Sequence, residues 1–468
     1  MKLTRSLALL FASILALLMN TTLALATTAN LEETRKPDLP IGIQRKFGTP
    51  PAVPKGALKT KVQKALDAAF GKDFRSPIWD KKRIKALDIL ASSKDPRVAW
   101  VLSDAMRILH QEALYRMVVE ATSKLLKIDI NTRNAWGKTT DHLIAWDIPA
   151  PPGYLNYKRT IFTTIEPKWN RIFVQGNIDW RHVSWGGVRI DDRPFDTTDT
   201  PCNCIPAADN PKVISAEKAT WLEDDAVVFG IEVNGEFRAY PRRIMEVREM
   251  VNDTLGGRSL GIPYCTLCGA AQAYFTDQLD AGVKRPVLRT SGLLIRSNKV
   301  MYDLNTFSVF DTFRGVAVTG PLYAKGVSLK RAGVVTAYWG EWKKAHPNTT
   351  VLVESLALGR NFDFRNGRDS KGPIFPIGNT DPRLPVHEDV FGVVTDQGTP
   401  IAFHIKSALD ELRKGKKVSF DHVHLVLDGG GVRAIDKKGQ DLGGHQAFWF
   451  AWSQFHSSTK LWPYDKSG

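Results

Sequence analysis

The sequence predicts an α+β fold: a small N-terminal helical domain followed by a β-rich, internally duplicated α+β domain. Three observations carry this. Apolar residues recur at helical spacing between residues 57 and 135, beginning with Val62, Leu66, Ala69 and Phe70. From about residue 201 onward, short β-branched and aromatic runs alternate with glycine turns. Within that second region one pattern occurs twice: Trp339, Trp342, His346 and Thr349 return at identical spacing as Trp449, Trp452, His456 and Thr459.

The elements follow in chain order. Lys2 and Arg5 precede an apolar run from Leu7 to Met19, and Ala24-Leu25-Ala26 supplies small residues where a signal peptidase cuts. Residues 1–26 are expected to be a secretory signal, leaving an exported protein, periplasmic or extracellular, that starts near Thr27. The run is shorter than the roughly 20 residues of a membrane span, and no later run is long enough for one. Residues 27–56 carry Pro37, Pro40, Pro50, Pro51 and Pro54 and read as an extended leader. In the helical domain, Asp95-Pro96 is an N-cap followed by proline at the first helical position, and a further helix is expected over Glu112–Leu126. Pro149 to Gly153 breaks the chain. Residues 136–200 form a connecting segment with Trp169, Trp180 and Trp185, read as short β-like runs, and His182 within it as a packed, hydrogen-bonded histidine.

The duplicated domain spans 201–468, with copies at about 227–352 and 389–462. Val228–Val233 and Val390–Thr395 are matching strands, each leading into a glycine turn (Asn234-Gly235 and Gln397-Gly398), the mark of a β-hairpin. Apolar-periodic stretches follow at Ile244–Val251 and Ile405–Leu412. A Trp-x-x-Trp-x-x-x-His helix closes each copy, its tryptophans expected in the core and its histidines bonded to a neighbouring sheet.

The formal net charge is +15, or +13 once Lys2 and Arg5 leave with the signal. Lys and Arg are scattered, an exported chain rarely meets nucleic acid, and no binding motif for it is present. A nucleic-acid partner is therefore excluded, and an anionic envelope surface is the physical alternative to a merely solvated basic face. The sequence carries no Ser-His-Asp order, zinc-protease helix, phosphate loop or dinucleotide fingerprint.

Chemistry concentrates at Tyr264-Cys-Thr-Leu-Cys-Gly269, which holds two of the four cysteines. Ala271, Ala273 and Phe275 alternate with Gln272 and Tyr274, so the motif is expected between strands. A thioredoxin-like arrangement would instead open a helix. Strand, Cys-x-x-Cys-Gly, strand is similar to the metal knuckle of rubredoxins and zinc ribbons, where each knuckle gives two of four thiolates. Cys202 and Cys204, in Thr200-Pro-Cys-Asn-Cys-Ile-Pro206, are the remaining thiols. Cys202, Cys204, Cys265 and Cys268 thus form either a shared metal centre, for zinc or copper, or disulfides between the pairs, and for both the two pairs are expected close in space. Thiol exchange at Cys265 and Cys268 alone is the third reading. Leu427-Asp-Gly-Gly-Gly431 falls near the place of the cysteine turn in the second copy, so the repeat does not need cysteine for its fold. Arg296, Ser297, Asn298, Met301 and Asp303 are candidates for a ligand cleft beside the turn, with Met301 a soft donor suited to copper. The competing reading has Asn298 and Asp303 making turns and Met301 packing.

Val251-Asn-Asp-Thr-Leu-Gly-Gly257, Tyr264-Cys-Thr-Leu-Cys-Gly269, Ser297-Asn-Lys-Val-Met-Tyr-Asp303, Gly320-Pro-Leu322 and Trp339-Gly-Glu-Trp342 occur in this order. Together they resemble the bacterial and archaeal family called domain of unknown function 3179, over roughly Cys202 to Trp462. Trp185-Gly-Gly-Val-Arg189 is similar to the long exported members. The resemblance implies an exported or envelope protein and no particular activity. Two departures follow from it. Thr266 stands where members usually have proline, which loosens the turn, and Arg248 stands where members tend to place a histidine. Three functions are carried forward: an envelope protein binding a metal ion or small ligand at the cysteine turn, a periplasmic thiol–disulfide oxidoreductase, and a disulfide-stapled interaction module without chemistry.

Overall fold

A computed structural model describes residues 41–464 apart from 43–44, 72–73, 75–78, 131–132, 198–199, 281 and 355–371. The signal at 1–26 and the first part of the leader lie outside the described residues. The described residues form one compact unit. It is a mixed α+β protein, with eleven α-helices and five β-sheets among the described residues.

The helices come first. Thr60–Phe70, Lys81–Ala91, Ala99–Ile108, Glu112–Leu126, Ala135–Ala145 and Tyr154–Phe162 pack on one another. Asp95 caps the turn of 3-10 helix Pro96–Val98 by accepting from the Arg97 amide at 3.2 Å, which starts the chain into Ala99–Ile108. Helix Glu112–Leu126 has the bounds its periodicity predicts. The end of the leader is extended and lies on helix Ala135–Ala145, where Arg45 grips Asp141 with two bonds of 3.1 and 2.7 Å.

The connecting segment differs from expectation. Tyr154–Phe162 is a helix, and Val183–Trp185 is the one strand among the described residues between 136 and 200. Lys158, mid-helix, hides the apolar stripe: it is fully buried and donates to Asp104 at 2.6 Å. Trp100, Trp169 and Trp180 then join the helices to Val183, Leu293, Val300 and Tyr302 in a single apolar core. The first sheet, in the order 183–185, 288–295, 298–303, 309–311, 316–317, is therefore the floor on which the helices sit.

Beyond it lie a sheet around strands 250–255 and 258–265, two sheets of like strand order, and the three-stranded sheet 418–420, 423–428, 431–435. The like pair are 335–338, 227–233, 236–241, 350–353 and 445–448, 389–394, 400–404, 460–462; in both, the last strand of the four runs parallel to its neighbour. Asn234 and Gly235 both take positive φ, as the tight hairpin between 227–233 and 236–241 requires. Helices Trp339–Ala345 and Trp449–Phe455 stand on the pair, with Trp342 over Gly230 and Trp452 over Gly392. Both indoles donate to a threonine seven residues on, Thr349 at 3.1 Å and Thr459 at 2.8 Å.

This likeness does not extend to two equivalent halves. Five sheets, of five, six, five, four and three strands, replace the expected twofold organisation, and the sheet under the helices has no partner among the described residues. The Gly429-Gly430 pair also corrects the alignment at the cysteine turn. Both residues are at positive φ in a hairpin turn, as are Gly256 and Gly257 between strands 250–255 and 258–265. The second glycine turn therefore matches that hairpin and not the cysteines.

The closing histidines also diverge. His346 bonds Asp428 of the three-stranded sheet at 2.6 Å, as expected. His456 has its Nε2 buried without a partner. Burial, with Arg331 and Arg314 nearby, pulls the His456 imidazole down to about 3. Burial likewise holds His445 well below its usual range. Such groups take up a proton when unfolded but not when folded. Stability is thus complete above the ordinary value of 6.5 and is lost as pH falls from there toward about 3. His456→Gln is expected to flatten the pH dependence of the unfolding free energy from urea melts by about 1.4 kcal/mol per pH unit across this window. An unchanged slope would contradict the buried neutral imidazole.

Candidate functional site

Strand Arg258–Cys265 brings the first thiol to the edge of the core, and Ala270–Ala271 with Ala273–Phe275 returns antiparallel to it. The expected strand, turn, strand is present. The Cys268 amide closes the turn on the Cys265 carbonyl at 3.1 Å, and Gly269 leaves it at a φ of 59°. The Phe448 amide holds the turn from outside, donating to the Cys268 carbonyl at 2.8 Å, with the Phe448 ring over Gly269.

Cys265 and Cys268 are both free and buried. The Cys268 thiol donates to the Ser297 carbonyl at 3.4 Å and Asn298 Oδ1 at 3.1 Å, while Cys265 reaches the Ser297 carbonyl at 3.9 Å. The two sulfurs differ in acidity. Burial and the charge of Glu249 oppose ionisation of Cys265, but a hydrogen bond from Cys268 and then the Lys299 amide and ammonium outweigh them, and its thiol lies below the usual range. Burial, followed by its neighbour Cys265, drives Cys268 well above it. The arrangement is a more acidic thiol beside one whose ionisation is strongly opposed.

Cys265 lines a cleft of about 210 Å³ together with Thr266, Glu249 and Lys299; the rest of the lining is largely apolar, including Leu267, Leu293 and Phe375. Lys299 and Glu249 pair at 3.0 Å, and Thr266 donates to Glu249 at 3.1 Å. Thr266, in place of proline, thus ties the turn to the carboxylate. Arg248 is fully buried and pairs with Glu354 at 3.0 Å.

The other expected site residues separate. Cys202 and Cys204 are bonded to each other, 1.91 Å between sulfurs, and not to the Cys-x-x-Cys turn. Their sulfurs and an Asp191 carboxylate oxygen lie within 4.8 Å of one another. Asp191 is already gripped by Arg193 at 2.6 and 2.9 Å. Among the described residues no group of three or more His, Cys, Asp or Glu with ligand atoms that close includes Cys265 or Cys268, so the shared four-thiolate centre does not form. Met301 packs in an apolar cluster with Leu288 and Phe310, as the competing reading has it. Asp303 makes a turn, accepting from the Thr306 and Val287 amides.

Ser297 and Asn298 do face the thiols. Arg296 and Ser297 are the two turn residues between strands 288–295 and 298–303, at φ 45° and 69°. Such turns favour Asn-Gly, and a left-handed L-residue costs about 1–2 kcal/mol. The strain is consistent with a turn kept for what its atoms touch. Ser297 aims its carbonyl at both sulfurs, and Arg296 points to the far side, against His182. Sequence reading misplaced Arg296 because alternate turn residues leave on opposite faces, and it missed Glu249 and Lys299, which carry no spacing signal.

Fold and site together define a mixed α+β protein with a buried, asymmetric dithiol at the end of a cleft. The family described as "Protein of unknown function (DUF3179)" matches residues 202–443, more than half of the chain. The chain belongs to that family. No curated protein and no solved structure matches it.

Proposed function

We propose that the Cys265–Cys268 pair performs thiol–disulfide exchange with a small molecule. The carrying observation is the asymmetry of the two free thiols: the acidified Cys265 lines the cleft and the protonated Cys268 stands behind it. The Cys265 thiolate attacks one sulfur of a disulfide substrate and its other sulfur leaves as a thiolate. Cys268 then loses its proton and attacks Cys265, releasing the second thiol. Two electrons pass to the substrate, and the protein is left with a Cys265–Cys268 disulfide. The size of the cleft favours a small disulfide over a protein loop. The Cys268 hydrogen bond is the main stabiliser of the Cys265 thiolate and Lys299 adds to it, while Glu249 pairs with Lys299 and its charge opposes the thiolate.

The test uses iodoacetamide and 2-hydroxyethyl disulfide on the full chain. Cys265 is expected to alkylate at least about tenfold faster than Cys268 near neutral pH. Cys268→Ser is expected to trap a mixed disulfide on Cys265, and Cys265→Ser to trap none. Equal reactivity of the two thiols, or no reaction in folded protein, sinks the proposal.

A metal-binding reading has one supporting observation, the proximity of Asp191, Cys202 and Cys204. Zinc retained by reduced protein and lost in Cys202→Ser would favour it.

A further inference from the structure

A second cleft of about 210 Å³ opens on the other side of the Arg296–Ser297 turn, lined by Asp179, His182, Arg296, Asp311, Arg314 and Gln454 among others. Its charges are unevenly matched. Asp179 is held by Arg181 at 3.0 and 2.6 Å. Asp311 accepts from the Phe313 and Arg314 amides at 2.9 and 3.0 Å and lies 3.7 Å from the Arg314 guanidinium. Arg296 is half-buried and has no carboxylate within ion-pair distance among the described residues. Its Nε and Nη2 instead meet the imidazole, at His182 Nδ1 3.2 Å and Nε2 3.4 Å, which leaves Nη1 as the free end of the fork among the described residues. That imidazole is neutral: burial, and then Arg296 itself, pull it down to about 4.

Gln454, on helix Trp449–Phe455, supplies the second observation. Both its amide oxygen and its amide nitrogen are buried without a partner. Buried polar groups in folded proteins are satisfied with few exceptions, so an amide left open in the same cleft as a guanidinium without a contacting carboxylate marks where a ligand's polar atoms belong. A planar guanidinium fork suits a carboxylate or phosphate, and an amide N–H can add one more donor to the same oxyanion.

We propose that the cleft between His182, Arg296 and Gln454 is a second binding site, for a small oxyanion such as a carboxylate or phosphate. Arg296 supplies the charge-assisted bonds and Gln454 an amide bond, while neutral His182 holds the guanidinium in place. The site is independent of the dithiol and stands whether or not Cys265 reacts.

Acetate and inorganic phosphate, titrated separately by calorimetry into the full chain, test this. Saturable binding of at least one is expected, and the tighter of the two distinguishes a carboxylate from a phosphate ligand. Arg296→Gln should weaken it at least about tenfold. Arg296→Lys, which keeps the charge without the fork, should recover part of the loss. Arg296 sits in a strained turn, so circular dichroism accompanies each variant. If Arg296→Gln does not fold, Gln454→Leu decides: a several-fold loss supports the site, and unchanged affinity overturns it. Saturable binding of neither anion, or equal affinity in a folded Arg296→Gln variant, also overturns it.

Discussion

Arg289→Met is expected to destabilise the protein by about 3–5 kcal/mol, the usual cost of stranding a buried charge. Arg289 is fully buried between two carboxylates that are themselves fully buried. It donates to Asp209 at 2.7 and 2.5 Å and lies 3.6 Å from Asp191. Asp209 also holds Asn252 at 2.8 Å, and Asp191 holds the Ala207 amide at 2.9 Å. One guanidinium therefore joins strand 288–295 to strands 208–209 and 250–255 and to the segment before the first cysteines. With methionine in its place Asp209 keeps only neutral donors, the Asn252 amide and the Asp196 backbone N–H. Urea unfolding followed by circular dichroism measures the effect. Adding Asp209→Asn to Arg289→Met should recover part of the loss, because the second change removes the stranded charge. A loss below about 1 kcal/mol in the single variant would mean that the network does not hold these strands together.

Gly230→Ala and Gly392→Ala carry the next largest expectation. A Cβ on Gly230 would lie 2.3 Å from the Trp342 ring, and one on Gly392 2.2 Å from the Trp452 ring. Neither indole can retreat, since both are buried and each is pinned through its Nε1 to a threonine. Overpacking of this kind costs about 1–3 kcal/mol, occasionally more, through displaced side chains and backbone. Removing the ring by Trp342→Ala should cost about 3–5 kcal/mol through the cavity left behind. In the Trp342→Ala background the added methyl of Gly230→Ala should be nearly neutral, because the atoms it would strike are gone. Equal cost of Gly230→Ala in both backgrounds would show that the strain lies elsewhere.

The parts of the fold that were legible in the sequence are those set by local chemistry. Helix Glu112–Leu126 announces itself by periodicity, the Asn234-Gly235 hairpin by its turn residues, and the strand after Gly269 by alternation of small and aromatic side chains. Features that depend on distant partners were not. Lys158 looks solvated until Asp104, 54 residues away, is placed beside it. The Gly429-Gly430 turn was assigned to the wrong counterpart because two glycines mark a turn without saying which one. At the candidate site, the sequence singled out Cys265, Cys268, Ser297 and Asn298 by motif. It did not indicate that Cys202 and Cys204 are bonded to each other, or that Arg296 serves a different cleft.

The hydrogen bond from the Phe448 amide to the Cys268 carbonyl has a practical consequence. Strand 445–448 is more than 170 residues from the cysteines, yet it braces their turn, and His445 on it lies 3.4 Å from Gln272 just beyond. A recombinant fragment that stops before His445 would keep every residue of the motif and still lose its clamp. Its thiols would report the chemistry of an open loop, so assays of the dithiol belong on a chain that runs through the last strand, 460–462.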